Sequence, residues 1–175
     1  MKKVISNLIP KLALGILSSI IFMVPLSYAE EGKVLPISSV AGQEQIIQFE
    51  EYAGKVVLID FWASWCGPCR QSFPWMNDMQ AKYKDQGFEV IAINLDSEKA
   101  DAQDFLNDVP ANFTLGFDPE GETAEKMAVE AMPMSYLIDR SGVIRQRLIG
   151  FNTSKKAEHE VHIQGLLQES LRDGK

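Results

Sequence analysis

The sequence predicts a single α/β domain built on a mixed central sheet with helices on both faces. Three observations predict it. Short strand-like apolar runs alternate along the chain with segments whose apolar residues recur at three- and four-residue intervals, the pattern of layered α/β folds. Val56-Val57-Leu58-Ile59 is apolar at every position, which suits a central strand covered on both sides. Two strand-like runs flanking Arg140-Ser141-Gly142 read as a late hairpin, which makes the sheet mixed rather than purely parallel.

Taken in order, residues 45–49 and 55–61 read as strands around a turn at Ala53-Gly54. A helix is expected from Cys66 to about Gln86, where Phe73, Met76, Met79 and Tyr83 form one stripe for core packing. Residues 88–95 alternate as the next strand. Residues 97–108 read as a helix with Ser97 as its cap. Residues 111–117 are a short extra strand before the turn Asp118-Pro119-Glu120-Gly121, and 123–130 a short helix. Residues 134–139 and 143–149 make the hairpin, and the last helix runs from Thr153 to about Leu171. No repeat, low-complexity tract or long linker interrupts this order.

Residues 1–29 have the composition of an export signal rather than of a folded element. Lys2, Lys3 and Lys11 supply positive charge, residues 12–26 are an apolar run of 15, and Ser27-Tyr28-Ala29 offers small residues for cleavage. The run is shorter than the roughly 18 residues expected of a spanning helix, and Pro25 interrupts its end. An uncleaved N-terminal anchor is the alternative. Either way residues 30–175 are expected to work outside the cytoplasmic membrane as one domain. Once the three N-terminal lysines are set aside, 14 basic residues face 24 acidic ones, a formal charge of −10. That balance argues against nucleic acid or an anionic membrane surface as a partner and fits simple solubility.

The chain has only two cysteines, Cys66 and Cys69, in Trp65-Cys66-Gly67-Pro68-Cys69 after a strand and at the start of a helix. A Cys-X-X-Cys in that setting marks a dithiol/disulfide redox site. Unpaired N–H groups and the positive end of the helix dipole favour a thiolate on the first sulfur. A structural staple is a poor alternative, since closing a two-residue loop restrains the unfolded chain little. Zinc lacks its third and fourth ligands. The redox centre is the cysteine pair itself, so no separate cofactor is expected.

The decapeptide Asp60-Phe61-Trp62-Ala63-Ser64-Trp65-Cys66-Gly67-Pro68-Cys69 resembles the active-site segment of thioredoxins. Pro74 matches that family's helix-kinking proline, and Met132-Pro133 resembles its cis-proline loop. The approach at 52–55, the segment between Asn94 and Met132, and Leu137-Ile138-Asp139-Arg140-Ser141-Gly142 are similar to exported TlpA/ResA-like thiol–disulfide oxidoreductases. The likeness covers nearly all of residues 30–175. It implies a thioredoxin fold with an N-terminal strand extension and a central insertion.

On this resemblance Cys66, at the helix start and partly exposed, is the attacking sulfur, and Cys69, one turn in, is the resolving thiol. Gly67 permits close approach of a partner backbone, and Pro68 fits the first helical turn, where its missing N–H costs little. Gly-Pro is the pair of thioredoxin, a reductant at about −270 mV, which favours reductase over oxidase. Asp60, a carboxyl in an apolar strand, is expected to have a raised pKa and to serve as general base toward Cys69; the alternative is a strand-end acid facing solvent. Thioredoxins place a lysine near this acid, where Ala92 stands here. Pro133 is expected to be cis, leaving the Met132 backbone free to pair with an extended substrate strand. Trp65, Pro68, Met132 and Met134 would line an apolar docking surface. Phe61 and Trp62 are expected in the core.

The expected activity is reduction of disulfides in other exported proteins; the resemblance implies apocytochrome c haem-attachment thiols or copper-site cysteines as substrates and a membrane thiol transporter as the source of electrons. A disulfide oxidase or isomerase is the alternative within the enzyme class, and copper(I) delivery through Met132 and Met134 beside the cysteines the alternative outside it. Ala63, three before Cys66, replaces the Thr of thiol peroxidases. His159 and His162 share a helix face but read as surface residues, so no metal site is expected. A monomer is expected.

Overall fold

The computed structural model describes residues 30–173; the expected signal or anchor at 1–29 lies outside them. Strands β1 (Ser39–Gly42) and β2 (Ile46–Gln48) form a hairpin in which Val40 faces Ile47. Its turn is closed by the Gly42 N–H on the Gln45 carbonyl at 2.9 Å, and a Cβ at Gly42 would meet that oxygen at 2.4 Å. Only glycine permits so close an approach. The strand expected over 45–49 is therefore shorter, Phe49 opening a 3-10 turn (Phe49–Tyr52), and β1 is an additional strand.

Strand β3 (Val56–Trp62) is buried at all seven positions. Helix α1 (Cys69–Tyr83) buries Phe73, Met76, Met79 and Tyr83 as the stripe predicts, and it runs on through Pro74. It begins at the second cysteine rather than the first, because Cys66 lies in a turn held by its N–H on the Ala63 carbonyl. After α1 the 3-10 turn Lys84–Gln86 ends at Gly87, whose φ of +84° turns the chain into β4 (Phe88–Asn94). Helix α2 (Lys99–Asp108) has Glu98 at its N-cap with no side-chain cap bond. Ser97 thus stands one residue too early to cap it.

Strand β5 (Thr114–Phe117) is shorter than the run 111–117, since Asn77 of α1 takes Pro110 and Asn112 out of any ladder. Its amide donates to the Pro110 carbonyl at 2.8 Å and accepts from the Asn112 N–H at 2.7 Å. Helix α3 (Glu122–Lys126) stops short of Glu130 because Ala128 adopts φ +52°, reversing the chain. Strands β6 (Met134–Ile138) and β7 (Ile144–Ile149) form the predicted hairpin. Helix α4 (Lys156–Asp173) follows a 3-10 turn at Thr153–Lys155 whose N-cap, Asn152, accepts from the Ser154 N–H.

The seven strands form one sheet in the order β2-β1-β5-β4-β3-β6-β7. β3, β4 and β5 are parallel neighbours, while β1–β2, β1–β5, β3–β6 and β6–β7 are antiparallel. Alternation along β3 divides the core. Val56, Leu58 and Trp62 face α1, α2 and α4, through Phe73, Met76, Phe105 and Ile163. Val57, Ile59 and Phe61 face the N-terminal segment and α3, through Ile37, Phe49 and Met127. Helices cover both faces as predicted, though unevenly. Trp62, Phe73 and Phe105 lie with ring centroids 4.7–5.0 Å apart, a cluster that fixes α1 and α2 on β3.

Candidate active site

Parallel strands β3 and β4 deliver their carboxyl ends to one edge of the sheet, where crevices form between connecting loops. Asp96, just past β4 and 6% exposed, reaches across to the loop after β3. Its carboxylate accepts from the Ser64 N–H at 2.8 Å, the Ser64 hydroxyl at 2.9 Å and the Asn94 amide at 2.7 Å. Charge-assisted bonds of this kind hold the residues leading into Cys66 in one geometry.

Cys66 and Cys69 are joined as a disulfide, with Cα atoms 5.3 Å apart. The Cys69 N–H donates to the Cys66 sulfur at 3.3 Å. On reduction that donor and the positive end of the α1 dipole favour negative charge on Cys66. Cys69 is fully buried and Cys66 only 4% exposed. The partly exposed Cys66 expected from the sequence is thus corrected: the sulfur is taken up in the disulfide ring and packed with the same buried cluster as Cys69 and Met132. Cys66 remains the outer of the two, with Trp65 (72% exposed), Gly67 and Pro68 all exposed around it. A Cβ at Gly67 would meet nothing within 4 Å, so the fold itself does not demand glycine there.

Asp60 alternates to the face that Val56, Leu58 and Trp62 share with the cysteines and is 1% exposed. Burial pushes its carboxyl up to about 7, against the lowering effect of the Ser135 hydroxyl. Ser135, its register partner on β6, donates to Asp60 Oδ1 at 2.5 Å. Ala92 is its register partner on β4 and contributes no charge. The solvent-facing alternative for Asp60 is ruled out by this burial.

The Met132-Pro133 bond is cis. Pro133 is buried, and its carbonyl accepts from the Gly150 N–H at 2.8 Å, tying the loop to the end of β7. Met132 is half-buried against the cysteine cluster, and its backbone forms no hydrogen bond among the described residues. Met134 is a correction: it is wholly buried on the opposite face of the sheet, with Tyr136 and Met127, so it lines no docking surface and cannot pair with Met132 as a soft ligand beside the cysteines. Alternation along β6 places it there. Phe61 and Trp62 are fully buried, as expected. His159 is another correction: it is 8% exposed and packs edge-on to Trp75 at 5.9 Å, and burial holds its imidazole below the ordinary range. His162 approaches Gln146 at 3.3 Å.

A buried disulfide at the end of a strand and start of a helix, a protonatable carboxyl on the same face and a cis-proline loop beside it can together exchange a disulfide with an extended chain. Residues 32–147 match the AhpC/TSA family. The chain belongs to that family. Within it, the chain is 32% identical over 132 residues to the thiol-disulfide oxidoreductase ResA of Bacillus cereus, covering 74% of this chain and 75% of that one. The ResA of Oceanobacillus iheyensis is 26% identical over 154 residues, covering 82% and 80%. A crystal structure described as thiol:disulfide interchange protein DsbE from Chlorobium tepidum matches with a TM-score of 0.77 at 48% identity, covering 79% of this chain and 98% of that one. This member of the AhpC/TSA family is accordingly a thiol–disulfide oxidoreductase of the ResA/DsbE type with a thioredoxin-like fold. Sequence reasoning alone did not find Ser64, Asp96 or Ser135. Asp96 carried a usable signal, an acid directly after a strand at its carboxyl end; Ser135 carried one as a small polar residue in an otherwise apolar or aromatic strand.

Proposed function

We propose that the protein is a reductant of disulfides in other exported proteins, acting through Cys66 and Cys69 with Asp60 as general base. The observation that carries this is the Cys69 N–H aimed at the Cys66 sulfur above a fully buried Cys69 and a buried, readily protonated Asp60. In the reduced protein the Cys66 thiolate attacks a partner disulfide, forming a mixed disulfide and releasing one partner sulfur. Asp60 then takes the Cys69 proton, and the Cys69 sulfur attacks Cys66. The Cys66–Cys69 bond forms, the mixed disulfide breaks, and the second partner sulfur leaves and is protonated. The pair ends oxidised and the partner reduced.

The Gly67-Pro68 dipeptide, with no histidine between the cysteines, supports the reducing direction. Trp65, Pro68 and Met132 offer an apolar docking surface around the sulfurs, and the Met132 backbone pairs with an extended partner strand. Residues 1–29 carry the export signal or anchor, and a membrane thiol transporter supplies the electrons. Apocytochrome c thiols and copper-site cysteines are the substrates this scheme serves. Insulin reduction tests the proposal: the wild-type protein with a dithiol donor precipitates insulin chains, Cys66→Ser does not, and Cys69→Ser accumulates as a mixed disulfide with its partner. A protein that binds copper(I) tightly yet reduces no insulin would contradict it.

A further inference from the structure

We propose that Ser135 is a positioning residue for the proton step: its hydroxyl occupies Oδ1 of Asp60 and leaves Oδ2 as the oxygen that takes and returns the Cys69 proton. The inference rests on the proposed role of Asp60 as general base. Three observations carry it. Ser135 sits directly across from Asp60 in the β3–β6 ladder, so both side chains emerge on the face that the cysteines occupy. The Ser135 hydroxyl donates to Oδ1 at 2.5 Å. Oδ2 is buried and has no hydrogen-bond partner among the described residues.

The neighbour on the other side cannot share this task. β4 presents Ala92 beside Asp60, fully buried, with Val90 and Asn94 along the same face. A neutral carboxyl whose Oδ1 accepts from serine carries its proton on Oδ2. In the ionised carboxylate the same Oδ2 is free, and when Cys69 must become a thiolate it receives the thiol proton; the S–H bond breaks, an O–H bond forms, and the electron pair stays on sulfur for its attack on Cys66. A hydroxyl donor also favours the carboxylate over the acid and so opposes the effect of burial. Without it the carboxyl would stay protonated at neutral pH and could not take the thiol proton.

Charged groups on the helices of this face pair with one another. α1 and the turn before it bring Cys69 and Cys66, with Lys82 and Tyr83 bonded to Glu160 of α4 and Arg70 to Asp108 of α2, and α4 also brings His159 and His162. β7 brings Gln146 and Leu148, and its Arg145 is paired with Glu169 of α4 at 2.8 Å. Burial and Ser135 are the two causes acting on the Asp60 carboxyl, so Ser135 is the neighbour whose removal moves it.

The test uses the full chain as wild type, Ser135→Ala and the isosteric pair Ser135→Thr and Ser135→Val, which differ in the hydroxyl. The Asp60 carboxyl is titrated by carbon-13 NMR in the reduced protein, and the rate of single-turnover reduction of a disulfide-bonded peptide is followed against pH. Ser135→Ala and Ser135→Val should raise the carboxyl midpoint by about one to two pH units, carrying the low-pH limb of the rate profile with it, while Ser135→Thr keeps both near wild type. An unmoved midpoint in the alanine and valine variants overturns the proposal. Asp60→Asn separates the two ideas. Loss of the low-pH limb in that variant supports the base, whereas a limb that survives refutes Asp60 as base and the catalytic part of this proposal, even if Ser135 still moves the carboxyl midpoint.

Discussion

Replacing Asp60 with Asn should flatten the dependence of folding stability on pH. The carboxyl is pushed from 3.8 to about 7 by burial in the folded protein, while the unfolded chain keeps the ordinary value. The folded state therefore holds its proton over a range in which the unfolded state has lost it. Stability from this group is fully present below about pH 4, falls as pH rises, and levels off once pH passes the folded value near 7. A gap of about three pH units at 1.36 kcal/mol each corresponds to about 4 kcal/mol between pH 4 and pH 8. Asparagine matches the carboxyl in shape, keeps an oxygen to accept from Ser135 and does not titrate. Urea unfolding of the oxidised protein at intervals from pH 4 to pH 8 measures the difference. The variant should gain on wild type by about 4 kcal/mol across that window and be the more stable protein at pH 8. Parallel profiles, the two differing by a constant amount within about 1 kcal/mol, would refute the claim that a proton is held on a buried acid.

Trp65→Ala should leave stability within about 0.5 kcal/mol, as expected for a side chain 72% exposed, yet raise KM for a protein disulfide several-fold without slowing a small disulfide reagent. Chemical denaturation and paired kinetic assays check both halves. Asp96→Ala strips the Ser64 N–H and the Asn94 amide of their acceptor, so it should cost about 2–3 kcal/mol and slow attack by Cys66 as the loop loses its anchor; urea unfolding and single-turnover alkylation rates measure this. Phe105→Ala, emptying the fully buried aromatic cluster with Trp62 and Phe73, should cost about 3–5 kcal/mol in urea while leaving the cysteine chemistry intact in the protein that remains folded.

The parts of the fold legible in the sequence are those with periodic or chemically unusual residues. The unbroken apolar run in β3, the stripe on α1 and the hairpin of β6 and β7 all have patterns that only one element type satisfies. The cysteine pair, Asp60 and the Met132-Pro133 loop were legible because their types and spacing recur together in thioredoxin-like proteins. Strand β1 was not legible: Ser39-Val40-Ala41-Gly42 has one large apolar side chain, and its pairing with β2 and β5 depends on contacts distant in sequence. The early end of α3 turns on a left-handed Ala128, a conformation no alanine announces. Met134 was misplaced because a docking surface was inferred from nearness to Pro133, whereas strand alternation sends it to the far face. Ser135 and Asp96 act through register and loop packing, which a single sequence does not display.

Reduction rather than formation of partner disulfides is the central claim, and the reduction potential of the Cys66–Cys69 couple tests it directly. Equilibration with a dithiothreitol or glutathione redox buffer, followed by quantifying free thiols, should give a value well below about −200 mV. A value near −120 mV, in the range of the strong oxidant DsbA, would contradict it and make the protein a donor of disulfides.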